Sequence, residues 1–188
     1  MIIEFIAAMI LAKFKHYNLK YAFNSWTFYP VLLTQCILIF FQMSIFFGTY
    51  YFLQFVPIVE PAIILSFLFA ILVYQLYTPA IIGSVCIGIG SLLNKFVMAQ
   101  NGGLMPVYPS LSYLTGYATP QSFQIADGVH ILGSEVTRYK LLTDYIDFGY
   151  CILSPGDVFI HLFSFLMLYS IFKAAHQHYS SVQTELHQ

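Results

Sequence analysis

Charge is what this chain has least of. Of its 188 residues only 8% are charged, against 59% hydrophobic, and the mean hydropathy is +0.76. A soluble domain covers itself with about a quarter charged residues. This chain cannot clothe a water-exposed globule, so lipid must be its solvent over most of its surface. The formal net charge of −1 excludes the basic field that nucleic acid requires. Cysteine is scarce as well: Cys36 and Cys86 lie in apolar runs and Cys151 stands alone. That excludes a disulfide framework and a Cys-x-x-Cys zinc pair. Aromatic residues are plentiful at 19%, as suits a small membrane bundle with Tyr and Phe at its interfaces.

The usual catalytic signatures are missing too. There is no Gly-x-Ser-x-Gly, no His-Glu-x-x-His and no phosphate-binding loop. ATP-driven pumping would therefore need another subunit. A secretory signal places positive charge before its apolar core. Here Glu4 precedes the core, while Lys13, Lys15 and Lys20 follow it. The reversed polarity predicts an uncleaved first helix with its amino end outside.

The hydrophobic runs predict an all-α integral membrane protein of about five helices, near 2–14, 30–51, 62–77, 80–98 and 158–172. The first is short for a crossing. Glu60-Pro61 reads as the first turn of the third helix, and Thr78-Pro79 as a tight turn into the fourth. Gly83, Ser84, Gly88, Gly90 and Ser91 give the fourth a small-residue face, with Ser84, Gly88 and Ser91 one helical turn apart, suited to close helix packing in lipid. Residues 174–188 read as a polar, mobile cytoplasmic tail. His176-x-His178 within it has metal-ligand spacing, but at a terminus such a pair is more often merely solvated. Lys13, Lys15, Lys20 and Lys173 against Lys95, Arg138 and Lys140 orient the chain. The amino end lies outside, the carboxyl end in the cytoplasm, and residues 100–157 form an extracytoplasmic cap between the fourth and fifth helices.

That cap holds five of the eight acidic residues: Asp127, Glu135, Asp144, Asp147 and Asp157. It opens with Asn101-Gly102-Gly103-Leu104-Met105-Pro106 and closes with Ser154-Pro155-Gly156-Asp157. Both ends read as helix punctuation: glycine in the left-handed conformation closes a helix, and Ser154 with Asp157 forms a capping box. Pro109 to Phe123 reads as uncharged loop, 125–130 as a turn, and 134–146 as a short helix lying on the interface with Leu141, Leu142, Tyr145 and Ile146 near one face. His130, Asp144, Asp157 and His161 are the candidate catalytic residues, with Asn101 and Glu135 in the same set. Asp157 and His161, four apart, share a helix face and are the candidate pair for a metal or a proton relay. The plainer account has Asp157 capping its helix and His161 bonded to a neighbour. A Cys151 nucleophile would need His130 or His161 beside it.

The order and spacing of Asn101-Gly102-Gly103, Met105-Pro106, His130, Thr137, Asp144 and Ser154-Pro155-Gly156-Asp157 resemble a family of small bacterial multi-helix membrane proteins classed as a domain of unknown function. The resemblance covers the whole chain and is most specific over 101–157. It implies a fold and a hot region, in which Asn101, Gly102, Gly103, Met105 and Thr137 are candidate ligand contacts. This chain has Leu104 where the family often has Arg, and Asp147 where proline is usual. An anion-binding role for that Arg would be lost here. The resemblance brings no reaction with it and leaves the cofactor unknown.

Three functions follow as expectations. The first is an accessory or subunit of a membrane assembly, binding a small ligand or another membrane protein through the cap. The second is a small membrane enzyme acting on a lipid-linked or peptide substrate through His and Asp. The third is a membrane component of a transporter. The lipid bilayer is a partner in all three.

Overall fold

A computed structural model of the protein describes residues 2–119 and 129–186. The chain is an all-α membrane protein. Its helices are α1 (Ile2–Phe14), α2 (Leu19–Phe23), α3 (Tyr29–Phe46), α4 (Val56–Ser66), α5 (Leu68–Tyr74), α6 (Tyr77–Gln100), α7 (Leu111–Thr115) and α8 (Pro155–Leu186). Among the described residues four short strands interrupt the cap: β1 (Met105–Val107), β2 (His130–Leu132), β3 (Ile146–Asp147) and β4 (Ile152–Leu153). Among the described residues four segments are long and apolar enough to cross a membrane: Trp26–Phe46, Val56–Tyr74, Tyr77–Gln100 and Pro155–Val182. The 13 residues of α1 rise about 20 Å, short of the ~30 Å hydrocarbon layer.

Several boundaries differ from the sequence reading, each for a local reason. The second hydrophobic run stops at Phe46, where the amides of Phe47, Gly48 and Thr49 fold back onto the carbonyls of Ser44 and Ile45. The third begins at Val56. Pro57 therefore occupies the first turn, where its missing N–H costs nothing. Glu60 and Pro61 lie inside the helix rather than at its start. The turn before α6 falls at Gln75 and Leu76 instead of Thr78-Pro79, which belong to the first turn of α6. Residues 174–186 are not a loose tail but the continuation of α8. No proline or glycine follows Gly156 to stop it.

Gln75 ends α5 in the left-handed region, with φ 53° and ψ 41°. A side chain there crowds its own carbonyl, a cost of about 1 kcal/mol that glycine avoids. Gln75→Gly is expected to raise the thermal unfolding midpoint in detergent. An unchanged or lowered midpoint would contradict that account of the turn.

The chain forms two compact units. The first comprises Met1–Leu38, Ile58–Val85 and His161–Gln188. Its core is aromatic: Phe28 lies 5.6 Å from Phe172 and 5.3 Å from Phe23, both edge-on, and Phe5 stacks on Phe28 at 6.2 Å. Helix α1 buries Glu4, Ala8 and Ala12, one residue per turn on a single face. Tyr17 and Tyr21 pack against His176 of α8, and the Asn18 amide donates to His176 Nδ1 at 3.3 Å.

The second unit comprises Ile39–Pro57 and Cys86–Ile160. Here α6 meets the start of α8 with almost no side chain between them. A Cβ on Gly90 would collide with the Gly156 carbonyl and reach within 2.8 Å of Ile160. The small-residue expectation for α6 therefore holds at Gly90, whereas Gly88 faces open space. Above this junction β1 pairs in parallel with β2, and β3 pairs antiparallel with β4.

Candidate functional site

The cap is assembled by backbone pairing across long stretches of sequence. In the β1–β2 register Met105 lies opposite His130, and Val107 opposite Leu132. The far edge of β1 takes up Asp144: the Asp144 amide donates to the Pro106 carbonyl at 3.1 Å, and the Tyr108 amide donates to the Asp144 carbonyl at 2.7 Å. Strand β1 thus holds His130 on one side and Asp144 on the other. The imidazole Nε2 lies 3.5 Å from Asp144 Oδ2, with the His side chain 36% exposed and the Asp side chain only 5%. A closed carboxylate behind a half-open imidazole orients the ring.

The helix expected over 134–146 is absent, apart from a single 3-10 turn at Lys140–Leu142. Tyr139, just before that turn, is left-handed with φ 54°, and Asp144 is drawn into the strand pairing. Tertiary hydrogen bonds outcompete a weak local preference. Conversely, the expected loop 109–123 contains the five-residue α7. Asp127 and most of the expected 125–130 turn lie outside the described residues.

The remaining candidates are largely occupied in holding the cap together. Asn101 Nδ2 donates to the carbonyls of Val97 at 2.9 Å and Arg138 at 3.1 Å, and its Oδ1 accepts from the Arg138 amide at 2.9 Å. Gly102 and Gly103 are left-handed, φ 72° and 86°, and close α6 through the Gly103 amide on the Met98 carbonyl at 2.8 Å. Met105 is buried in β1. Thr137 Oγ1 accepts from the Ser134 amide at 2.9 Å within a turn. Glu135 is exposed, 3.8 Å from Lys140.

The capping box is formed as its sequence predicts. The Asp157 amide donates to Ser154 Oγ at 2.9 Å, and Asp157 Oδ2 accepts from the Ser154 amide at 2.8 Å. Asn94 of α6 completes it: its Nδ2 donates to Asp157 Oδ1 at 2.8 Å, and its Oδ1 accepts from Ser154 Oγ at 2.8 Å. The closing end of the cap is therefore tied to α6 through Asn94. An amide inside a membrane crossing was the available signal, since such groups in lipid seek a partner on another helix.

The pairing of Asp157 with His161 is not what either residue uses. In the first unit His161 Nδ1 is hydrogen-bonded to Glu4 Oε1, a partner 157 positions away that no sequence motif indicated. Among the described residues no group of three or more His, Cys, Asp and Glu side chains is placed to hold a metal ion.

Two cap residues outside the candidate set also hold well-defined positions. Asp147 accepts from the amides of Ser110 at 2.7 Å, Ser112 at 2.8 Å and Gly149 at 2.7 Å, and from Ser112 Oγ at 2.5 Å. Burial acts to raise its pKa, but these donors outweigh burial and hold the carboxyl below its ordinary value. Tyr117 carries a phenol pushed up to about 12, by burial first and then by Cys151, Asp147 and Tyr50.

No curated protein and no solved structure matches this chain. A family of unknown function matches residues 3–169, which takes in the first three spans, the first part of the fourth, the capping box and the His130–Asp144 pair, and so the chain belongs to DUF5317.

Proposed function

We propose that this protein binds a small ligand or a partner through its cap, and that it serves as an accessory or subunit of a membrane assembly. The observation that carries the proposal is the His130–Asp144 pair, whose ring is half open at 3.5 Å from a closed carboxylate. Asn101, Thr137, Asp147 and Asp157 meanwhile have polar atoms committed to the cap's own backbone. An imidazole steadied from behind is suited to a hydrogen-bonding or anionic ligand. Ile81 and Leu92 stand open on α6, as suits a helix covered by lipid or by a second subunit.

The cap then lies outside the cell, with Lys13, Lys15, Lys20 and Lys173 in the cytoplasm. The contacts of α1 and α2 with α8 support an amino end on the side where α8 starts. Glu4 meets His161 near the start of α8, while Tyr21 meets His176 and Tyr179 much further along it. The same His–Asp pair favours a second reading, an enzyme acting on a lipid-linked or peptide substrate with His130 as general base and Asp144 orienting it.

Native mass spectrometry of the full chain, purified in mild detergent, tests the proposal. A stoichiometric small molecule or partner is expected, and His130→Ala is expected to weaken its retention about tenfold, the equivalent of one hydrogen bond. A lone, ligand-free monomer would overturn the binding reading.

A further inference from the structure

Part of the cap is fastened to the side of a membrane span. Phe96 lies four residues before the end of α6, about 6 Å along the helix. Its ring meets Tyr139 edge-on, with centroids 4.8 Å apart. The adjoining backbone is clamped by Asn101, which both donates to and accepts from Arg138. The segment Val136–Leu141 is thereby held beside the last turns of α6. Phe96 is itself exposed there, on a helix that crosses lipid.

Two apolar side chains of this segment are nearly bare: Val136 is 87% exposed and Leu141 78%. Arg138 and Lys140 lie between them and are exposed as well, Lys140 3.8 Å from the exposed Glu135 carboxylate, and Lys95 on the neighbouring helix is exposed too. Apolar tips, an aromatic pair and basic side chains at the end of a span form the composition of a membrane–water boundary. The basic side chains further select an anionic surface, to which polybasic juxtamembrane segments are drawn. A water-facing loop gains nothing by exposing Val136 and Leu141.

We propose that Val136–Leu141 is an interfacial anchor seated on anionic phospholipids. Val136 and Leu141 enter the upper acyl region, Tyr139 and Phe96 lie at headgroup level, and Arg138 and Lys140 meet lipid phosphates. The anchor fixes the depth of the cap, since Asn101 transmits its position to the end of α6. This inference goes beyond ligand binding and does not depend on it.

The test uses the full chain carrying Trp26→Phe and Leu141→Trp, so that the probe at 141 is the sole indole. It is reconstituted in phosphatidylcholine vesicles with and without phosphatidylglycerol, with bromine on the upper acyl carbons. Blue-shifted emission that the bromines quench is expected, with deeper quenching when phosphatidylglycerol is present. Adding Arg138→Gln and Lys140→Gln is expected to abolish that extra quenching. Emission at the position of a water-exposed indole, unquenched in both vesicles, would overturn the anchor. Blue-shifted but unquenched emission would also overturn it, by showing that protein covers the segment. Extra quenching that survives both charge removals would overturn the anionic-headgroup assignment.

Discussion

Gly156→Ala is expected to disrupt the junction of α6 and α8 in the second unit, at a cost of about 3 kcal/mol. The added methyl would overlap Asn94 Oδ1 and lie 2.7 Å from the Gly90 carbonyl oxygen. Neither neighbour can give way cheaply. The Asn94 oxygen accepts from Ser154 Oγ while the amide nitrogen of the same side chain donates to Asp157, and the Gly90 carbonyl is helix backbone. The helices must move apart, and in lipid no gain in apolar burial compensates for lost close packing. Gly88→Ala is the control, because a Cβ there meets nothing within 4 Å. Alanine in a helix interior is favoured over glycine, so this variant is expected to be neutral or more stable by about 0.5 kcal/mol. Thermal unfolding in detergent, followed by circular dichroism, should separate the two variants clearly. Equal midpoints would refute the packing account.

Asp147→Ala is expected to loosen the cap by about 2–3 kcal/mol, since bonds to a charged acceptor contribute more than neutral ones but partial exposure screens them. Three amides and the Ser112 hydroxyl lose their acceptor together. Hydrogen exchange at Ser110, Ser112 and Gly149 reads the loss directly, and unchanged protection would refute it. The effect has a pH signature. The folded carboxyl is held below its ordinary value, so near the unfolded pKa of about 3.9 the unfolded chain binds more protons than the folded one. The stabilisation is complete above that pH and is lost as pH falls through the lower folded pKa. Asp147→Asn should abolish this acid-side dependence.

Helix signals written in adjacent residues were legible in the sequence. Asn101-Gly102-Gly103 closes α6, and Ser154 with Asp157 caps α8, because left-handed glycine and the capping box involve only residues a few positions apart. His130 and Asp144 were legible as chemistry but not as neighbours. Their approach depends on β1 pairing with segments on both of its edges, which three-residue strands do not announce. The misread helix over 134–146 has the same origin. Its apolar spacing suited a helix, yet the Asp144 backbone finds its partners on Pro106 and Tyr108.

By itself the sequence determined that this is a membrane protein of apolar helices with one polar cap. A chain with 8% charged residues has no means of covering itself in water. Tertiary structure decided which polar groups meet. It commits Asn101, Thr137, Asp147 and Asp157 to the cap's own backbone, sends His161 to Glu4, and leaves the His130 ring half open against Asp144. The physical reason is that buried polar groups must be satisfied wherever a partner comes within reach. That reach is set by the meeting of segments far apart in the chain.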